Sequence, residues 1–187
     1  ELNIEIPLVI SNREDLKALV ESHGIKFLFL PVTAESKVAQ ETEVQKQITD
    51  LKIDFVVLAR YMQILSTEFC AKLPGKIINI HPSLLPDYPG LNTHKQAIEN
   101  GDLMHGISVH YVSNELDGGP IITQGALKID PIQSEAKLIS RIHKIEHAVY
   151  PKVIADIIKG YISLQGDQVK FEAESHFGPN HMEFFNV

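Results

Sequence analysis

Residues 77–86 have the sequence IINIHPSLLP, in which an apolar, β-branched run stops at two prolines. Runs of this kind are typical of buried strands, and proline does not continue a strand ladder. Side chains two residues apart on a strand point to the same face, so Asn79 and His81 can converge on one reacting atom. The sequence therefore predicts a strand that ends in a carboxamide and an imidazole, at the edge of an open α/β sheet where ligands bind.

A second polar element lies in the sequence ELDGGP, residues 115–120, where Asp117 precedes two glycines. Each feature alone has a simpler interpretation, because Asn-x-His at a strand end is more often a hydrogen-bonded turn, and Leu-Asp-Gly-Gly is usually only a turn. Together, a carboxamide, an imidazole and a carboxylate suit the transfer of a carbonyl-containing group. We therefore take Asn79, His81 and Asp117 as candidate catalytic residues.

Short apolar runs alternate along the chain with stretches of helical spacing. This alternation predicts an α/β fold with a Rossmann-like, mainly parallel sheet and helices on both faces. Residues 108–112 and 121–129 flank the glycine turn and are expected to pair antiparallel around it. A long helix is expected from a cap at Ser134 to about Lys159, with Pro151 kinking or breaking it.

The length and composition are those of one ordinary domain, so we expect residues 1–187 to form a single domain. A polar helix is predicted over residues 35–51, with an inner stripe of Val38, Val44, Ile48 and Leu51. The aromatic tail, residues 166–187, is expected either to pack back on the domain or to be poorly ordered.

The net charge of −7 argues against nucleic acid or an anionic membrane as the main partner. The single cysteine, Cys70, excludes an internal disulfide framework, fits a reducing, cytoplasmic compartment and is most simply a small buried hydrophobe. No apolar run reaches the roughly 18–20 residues of a membrane span. The histidines at 94, 105, 110 and 147 lack metal-ligand spacing, so no catalytic metal is predicted. Small-molecule substrates are expected, and a homo-oligomer is left open.

Three motifs carry a resemblance to a known family. NIHPSLLP (79–86), HGISVHYV (105–112) and LDGGPII (116–122) closely resemble the folate-dependent formyltransferases. From about residue 79 to 168, including EHAVYP (146–151), the chain is most similar to the phosphoribosylglycinamide formyltransferase branch. Its first part looks more like formyltetrahydrofolate deformylase, in the segments IPLVISN (6–12), LPVT (30–33) and LARYMQILS (58–66).

The resemblance implies transfer of a formyl group from the cosubstrate 10-formyltetrahydrofolate to glycinamide ribonucleotide, in purine biosynthesis. Hydrolysis of the same donor to formate and tetrahydrofolate is the alternative, and an inactive folate-binding module is a third. Asn79 and protonated His81 would donate hydrogen bonds to the developing oxyanion. Asp117 would favour the imidazolium and accept the proton of the attacking amine. Ser83 is expected to bond within the turn, because no acyl-enzyme is needed.

The resemblance also implies binding residues. Those expected to contact the folate are Met62, Gln63, Ile64, Leu65, Leu85, Val112, Ser113, Asn114, Glu115 and Leu116. Those expected to contact the ribonucleotide are Pro82, His143 and Glu146. Simpler interpretations stay open, since the spacing of Met62, Ile64 and Leu65 also suits core residues, and Glu146 also suits a surface ion pair with Arg141 or Lys144. Gln63 stands where the glycinamide branch commonly carries arginine, which favours the deformylase.

In the family, a strand, a glycine-rich loop and a helix come first, and the loop holds the substrate's phosphate. This chain opens at what resembles the approach to the second strand, and no G-x-G pattern precedes Gly90. We therefore expect the first β-α unit to be missing and the domain to be N-terminally incomplete. The position of the phosphate is left open.

Overall fold

The computed structural model describes residues 3–33 and 35–187. Its contacts divide the chain into a first unit up to Asp54 and a second unit from Phe55 to Val187. The strands are β1 (Leu8–Ser11), β2 (Lys26–Phe29), β3 (Val56–Leu58), β4 (Ile77–His81), β5 (Met104–Tyr111), β6 (Ile121–Lys128), β7 (Ile162–Gln165), β8 (Gln168–Phe171) and β9 (Met182–Phe185). The helices are α1 (Lys17–Ser22), α2 (Lys37–Asp50), α3 (Thr67–Ala71), α4 (Thr93–Glu99) and α5 (Glu135–Ile158).

The first unit contains a β-α-β arrangement followed by a polar helix. Strands β1 and β2 pair in parallel, with α1 between them in the chain. Helix α2 buries Gln40, Glu41 and Ile48, whereas Val38 is 77% exposed. The predicted inner stripe is therefore right at Ile48 and wrong at Val38 and at Leu51, which is 38% exposed and lies just past the end of the helix, while Val44 is half-buried. At 3.6 residues per turn, Gln40, Ile48 and Glu41 share one face of the helix, and Val38 lies roughly 60° beyond the Glu41 edge of that face.

The second unit is built on a five-stranded sheet in the order β3-β4-β5-β6-β9. Strands β3 and β4 pair in parallel, as do β6 and β9. Strand β5 is antiparallel to both of its neighbours, β4 and β6. The hairpin of β5 and β6 is the one predicted around the glycine turn. The α/β, Rossmann-like architecture expected from the sequence is confirmed.

Helix α5 covers this sheet with the apolar stripe predicted for it. Leu138, Ile142, Ile145 and Val149 are buried against a core that includes residues of β5 and β6. Burying each such side chain stabilises the fold by roughly 1.5–3 kcal/mol. The Ser134 hydroxyl accepts a hydrogen bond from Lys137 N, which confirms the predicted cap. The helix continues through Pro151, so this residue does not end it.

The tail packs on the second unit, which is one of the two outcomes expected for it. Strands β7 and β8 form a hairpin, and β9 extends the main sheet beside β6. Buried Asp156 accepts hydrogen bonds from His176 N at 2.7 Å and from the Ser175 hydroxyl at 2.9 Å. Burial alone would raise the pKa of Asp156, but these hydrogen bonds hold it below its usual value. Across the described ranges, no helix is long and apolar enough to cross a membrane.

Candidate active site

The three predicted catalytic residues lie in one polar cluster of the second unit. His81 Nδ1 is 3.4 Å from Asp117 Oδ2, and both side chains are largely buried. Asn79 precedes His81 by two residues on β4 and faces the same way. The structure therefore brings together a carboxamide, an imidazole and a carboxylate, as predicted.

Both ring nitrogens of His81 face acceptor oxygens. Nδ1 faces Asp117, and Nε2 lies 2.9 Å from the carbonyl oxygen of Tyr88. An imidazole can donate from both nitrogens only when it is protonated. Both nitrogens of His81 are thus engaged, and the oxyanion role requires one ring N–H to turn from its present acceptor to the substrate oxygen.

Asp117 is fixed by its turn. Its Oδ2 accepts a hydrogen bond from Gly90 N at 2.9 Å, and its backbone has a positive φ of 49°. Gly119 lies so close to the carbonyl of Tyr111 that a Cβ there would clash with this backbone oxygen. Glycine is therefore required at 119 for the turn to bring Asp117 to His81.

His110 is a member of the cluster that the sequence analysis did not assign. It pairs with Asn79 across β4 and β5. Its Nδ1 lies 2.9 Å from the carbonyl of Tyr111, so Nδ1 carries the proton and Nε2 accepts. That Nε2 lies 3.4 Å from Asn79 Nδ2 and 3.8 Å from Asp117 Oδ1. Burial lowers the pKa of His110, which keeps the ring neutral and able to orient the Asn79 amide.

Buried hydroxyl groups hold the loop that follows His81. The Ser108 hydroxyl donates to the carbonyl of Ser83 and accepts from Leu85 N, and Thr93 Oγ1 donates to the carbonyl of Pro82. The Ser83 hydroxyl donates to the carbonyl of Asp87 at 2.6 Å. Ser83 therefore bonds within the turn, as expected.

A second histidine pair lies beside this loop. His94 Nδ1 and His105 Nε2 are 3.0 Å apart, with their rings edge to face. Burial lowers the pKa of each ring to about 4. His105 also hydrogen-bonds to the backbone of Pro82, the residue that follows His81, so the pair lies near the catalytic cluster.

Helix α5 presents the residues expected to contact the acceptor. His143 Nε2 lies 3.0 Å from Arg60 Nη2, at the loop after β3. Burial raises the pKa of Glu146, while the charges of His143, Arg60 and His147 oppose that rise. Within residues 3–33 and 35–187, no basic side chain lies within 4.0 Å of the Glu146 carboxylate. The surface ion pair considered for Glu146 is therefore not formed.

The residues expected to contact the folate divide into an exposed set and a buried set. Met62 is 69% exposed and Ile64 is 52% exposed, so they are not core residues. Leu116 is also exposed, and Asn114 and Glu115 beside it are exposed. Leu65 and Leu85 are buried, and Gln63, Val112 and Ser113 are half-buried. Cys70 is half-buried, and its thiol donates to the carbonyl of Ser113 at 3.4 Å.

Nowhere in the described part of the chain do three or more histidine, cysteine, aspartate or glutamate side chains lie close enough to hold a metal ion. The absence of a catalytic metal stays a prediction.

A Rossmann-like sheet with a polar cluster at the end of β4 is typical of an α/β enzyme that binds its ligands at the carboxyl ends of the strands. The chain belongs to the formyl transferase family, which matches residues 1–154. It is 43% identical over 159 residues to the phosphoribosylglycinamide formyltransferase of Escherichia coli (strain K12), spanning 83% of this chain and 75% of that protein. It is 42% identical over 154 residues to the formyltetrahydrofolate deformylase of Synechocystis sp., spanning 82% of this chain and 54% of that protein.

Solved structures give the same two kinds of relative. The phosphoribosylglycinamide formyltransferase of Coxiella burnetii superposes with a TM-score of 0.83 at 38% identity, over 96% of this chain and 86% of that chain. A formyltetrahydrofolate deformylase of Pseudomonas syringae superposes with a TM-score of 0.86 at 32% identity, over 91% of this chain and 57% of that chain. The expected family is thus confirmed, and both activities occur among its similar members.

Proposed function

We propose that this enzyme transfers the formyl group from 10-formyltetrahydrofolate to glycinamide ribonucleotide. The observation that carries the proposal is the buried contact between His81 and Asp117, with Asn79 two residues from His81 on the same strand. In the reaction, the amine of the ribonucleotide attacks the formyl carbon and a new C–N bond forms. The bond from that carbon to N10 of the folate breaks, and the amine's proton passes to N10.

Each member of the cluster has a role in this sequence. The Asn79 amide and protonated His81 donate hydrogen bonds to the oxygen on which negative charge develops. His110 holds the amide, because its Nε2 faces Asn79 Nδ2. The Asp117 carboxylate favours the imidazolium and accepts the amine's proton, directly or through a water, for delivery to N10. None of these steps needs a metal ion or a covalent enzyme intermediate.

The folate is assigned to the loop after β3 and the loop after β5. Exposed Met62 and Ile64 offer an apolar surface for the pterin beside the more buried Leu65, and Gln63 between them adds a polar group. Leu85 and Val112 are expected to line the side nearer β4. The backbone of residues 113–116 supplies hydrogen-bonding groups for the pterin edge.

The acceptor is assigned to helix α5 and the end of β4. Glu146 is a half-buried carboxylate without an ion-pair partner in the described ranges, which suits the amine or ribose hydroxyls of the ribonucleotide. His143 lies one helical turn earlier on the same face. Pro82 follows His81 directly and is expected to contact the glycinamide part.

Hydrolysis of the donor is the second candidate, and two observations favour it. Gln63 departs from the arginine that is common at this position in the glycinamide branch. The deformylase of Synechocystis sp. is also as similar to this chain as the E. coli transferase is, at 42% and 43% identity. In hydrolysis, water takes the place of the amine and Asp117 accepts its proton.

Donor turnover, measured with and without glycinamide ribonucleotide, tests the proposal. The intact protein is mixed with 10-formyltetrahydrofolate, and tetrahydrofolate formation is followed. Turnover that requires the ribonucleotide is the expected result, whereas equal turnover in its absence supports hydrolysis. No turnover under either condition, from protein that binds the donor, supports the inactive binding module.

A further inference from the structure

Tyr88, in the loop after β4, holds His81 through its main chain. The carbonyl oxygen of Tyr88 lies 2.9 Å from His81 Nε2, which is an ordinary hydrogen-bond distance. The other ring nitrogen, Nδ1, is 3.4 Å from Asp117 Oδ2, beyond the usual range for such a bond. The Tyr88 carbonyl is therefore the closer of the two acceptors that face the ring.

The two ring nitrogens of His81 face different surroundings. Nδ1 faces Asp117, whose other oxygen is 3.8 Å from His110 Nε2, and this nitrogen is in turn 3.4 Å from the Asn79 amide. Nδ1 thus lies on the side of the catalytic cluster, whereas Nε2 faces the loop after β4. Nδ1 is the nitrogen suited to reach a substrate oxygen beside Asn79, because the bond from Nε2 to Tyr88 can persist while it does so.

The side chain of Tyr88 is held at the C-terminal end of α4. Its hydroxyl donates to Asp102 Oδ2 at 2.7 Å and accepts from Asn100 Nδ2 at 2.8 Å. The ring also packs against the hydrophobic core. These two hydrogen bonds, the Tyr88 anchor, fix the residue whose carbonyl meets His81.

The backbone of Tyr88 has a conformation that residues other than glycine rarely adopt. Its φ is 53°, in the left-handed region. Two residues later, Gly90 N donates to Asp117 Oδ2 at 2.9 Å. The segment 88–90 therefore contacts both members of the catalytic pair, with a carbonyl on the imidazole and an amide on the carboxylate. Backbone strain of this kind is concentrated at functional sites, where the surrounding structure maintains it.

We propose that Tyr88 is a positioning residue, whose main-chain carbonyl orients the His81 ring so that Nδ1–H faces the substrate oxygen. This inference rests on the oxyanion role proposed for His81, which transfer and hydrolysis share. The hydrogen bond made by one imidazole nitrogen determines how the other is presented. The Tyr88 anchor keeps the carbonyl in place, so its loss should slow the chemical step and leave substrate binding unchanged.

Steady-state kinetics of Tyr88→Phe test the anchor, because this substitution removes only the hydroxyl. The kcat should fall roughly 10- to 100-fold, while the KM for each substrate stays within about twofold of wild type. Asp102→Ala should give the same loss, whereas Asp102→Asn should stay near wild type, since its amide oxygen can still accept from the hydroxyl. Tyr161→Phe, which removes a hydroxyl from the segment between α5 and β7, is the matched control and should keep wild-type kcat.

The double variant Tyr88→Phe/Asp102→Ala separates the anchor from two independent effects. Its kcat should be no lower than that of the slower single variant, because the same hydrogen bond is lost in all three enzymes. If the two losses multiply instead, Tyr88 and Asp102 do not act as one unit and the anchor is overturned.

The His81 ring supplies a readout that a general loss of stability would not change. In ¹⁵N-labelled free enzyme, the Nε2–H proton of His81, identified by its loss in His81→Ala, should move upfield in Tyr88→Phe and stay in place in Tyr161→Phe. A signal that is the same in wild type and Tyr88→Phe overturns the positioning role, and so does a shifted signal with wild-type kcat. A wild-type enzyme that binds the donor without turnover contradicts the proposed function instead, and the signal then still decides whether Tyr88 orients the ring.

Discussion

Asp117 Oδ2 and His81 Nδ1 lie 3.4 Å apart, and the same carboxylate oxygen accepts a hydrogen bond from Gly90 N at 2.9 Å. The two residues come from different parts of the chain, one from the end of β4 and the other from the turn between β5 and β6. The carboxylate is therefore held by the backbone before any substrate binds. Such preorganisation is what electrostatic stabilisation of a transition state requires.

Asp117→Asn should lower kcat roughly 10²- to 10⁴-fold, the usual range for losing a general base. The amide is nearly isosteric and can still accept from Gly90 N, so the fold should be retained. Asp167→Asn, at the exposed turn between β7 and β8, is the control and should keep wild-type kcat. Initial rates at saturating donor and acceptor measure the effect. A kcat within about threefold of wild type, well short of the range for a general base, would remove Asp117 from the mechanism.

His110→Asn should lower kcat about 10-fold or more, because the Asn79 amide loses the ring nitrogen that orients it at 3.4 Å. The amide of the new asparagine can replace Nδ1 as the donor to the Tyr111 carbonyl, so the interaction that is lost is the one with Asn79. His23→Asn, at the exposed end of α1, is the control histidine. If a His110→Asn enzyme binds the donor normally and keeps the wild-type kcat, Asn79 does not need His110 to orient its amide.

Stability should depend on pH through His94 and His105. Burial lowers both pKa values from 6.5 to about 4, so between these values the unfolded chain binds more protons than the folded chain. The free energy of unfolding should therefore fall as the pH falls through this window, by about 2 kcal/mol for buried His105 between pH 7 and pH 5, and by less for half-buried His94, whose charge is partly screened by solvent.

Urea unfolding at pH 7, 6 and 5, followed by circular dichroism, measures this dependence. The comparison is between wild type and His105→Gln, which removes one of the two titrating rings. The variant should be less stable at pH 7 and should lose less stability on acidification. Equal pH slopes for the two proteins would contradict the assignment of these rings as neutral and buried.

Glu146→Gln should raise the KM for glycinamide ribonucleotide roughly 10-fold or more, because the carboxylate no longer accepts charge-assisted hydrogen bonds from the acceptor. The KM for 10-formyltetrahydrofolate should not change. Glu135→Gln, at the exposed start of the same helix, is the control. If Glu146→Gln instead changes the donor KM and leaves the acceptor KM as it was, Glu146 belongs to the folate side.

The sequence predicted those features that depend on local pattern. Asn79 and His81 share a face because strand periodicity requires it, and the apolar stripe of α5 lies where helical spacing places it. The antiparallel hairpin of β5 and β6 followed from the glycine turn between them. The sequence does not decide between the two outcomes for the tail, since its few apolar residues do not show which strand edge they will meet.

The features that the sequence did not predict depend on register and long-range contact. His110 joins the site because β5 pairs with β4 so that it lies opposite Asn79, and no local pattern fixes that register. Arg60 meets His143 across 83 positions of sequence, and the His94–His105 contact joins a helix to a strand. Val38 was misplaced because polar Gln40 and Glu41 share the buried face of α2 with Ile48.

The fate of the formyl carbon tests the central claim most directly. Donor labelled with ¹³C in the formyl group is incubated with the intact protein and glycinamide ribonucleotide, and the label is followed by NMR into the two products. The account predicts that the label appears in the formylated ribonucleotide and that His81→Ala abolishes this product. Label that appears as free formate, at the same rate with or without the ribonucleotide, would contradict it.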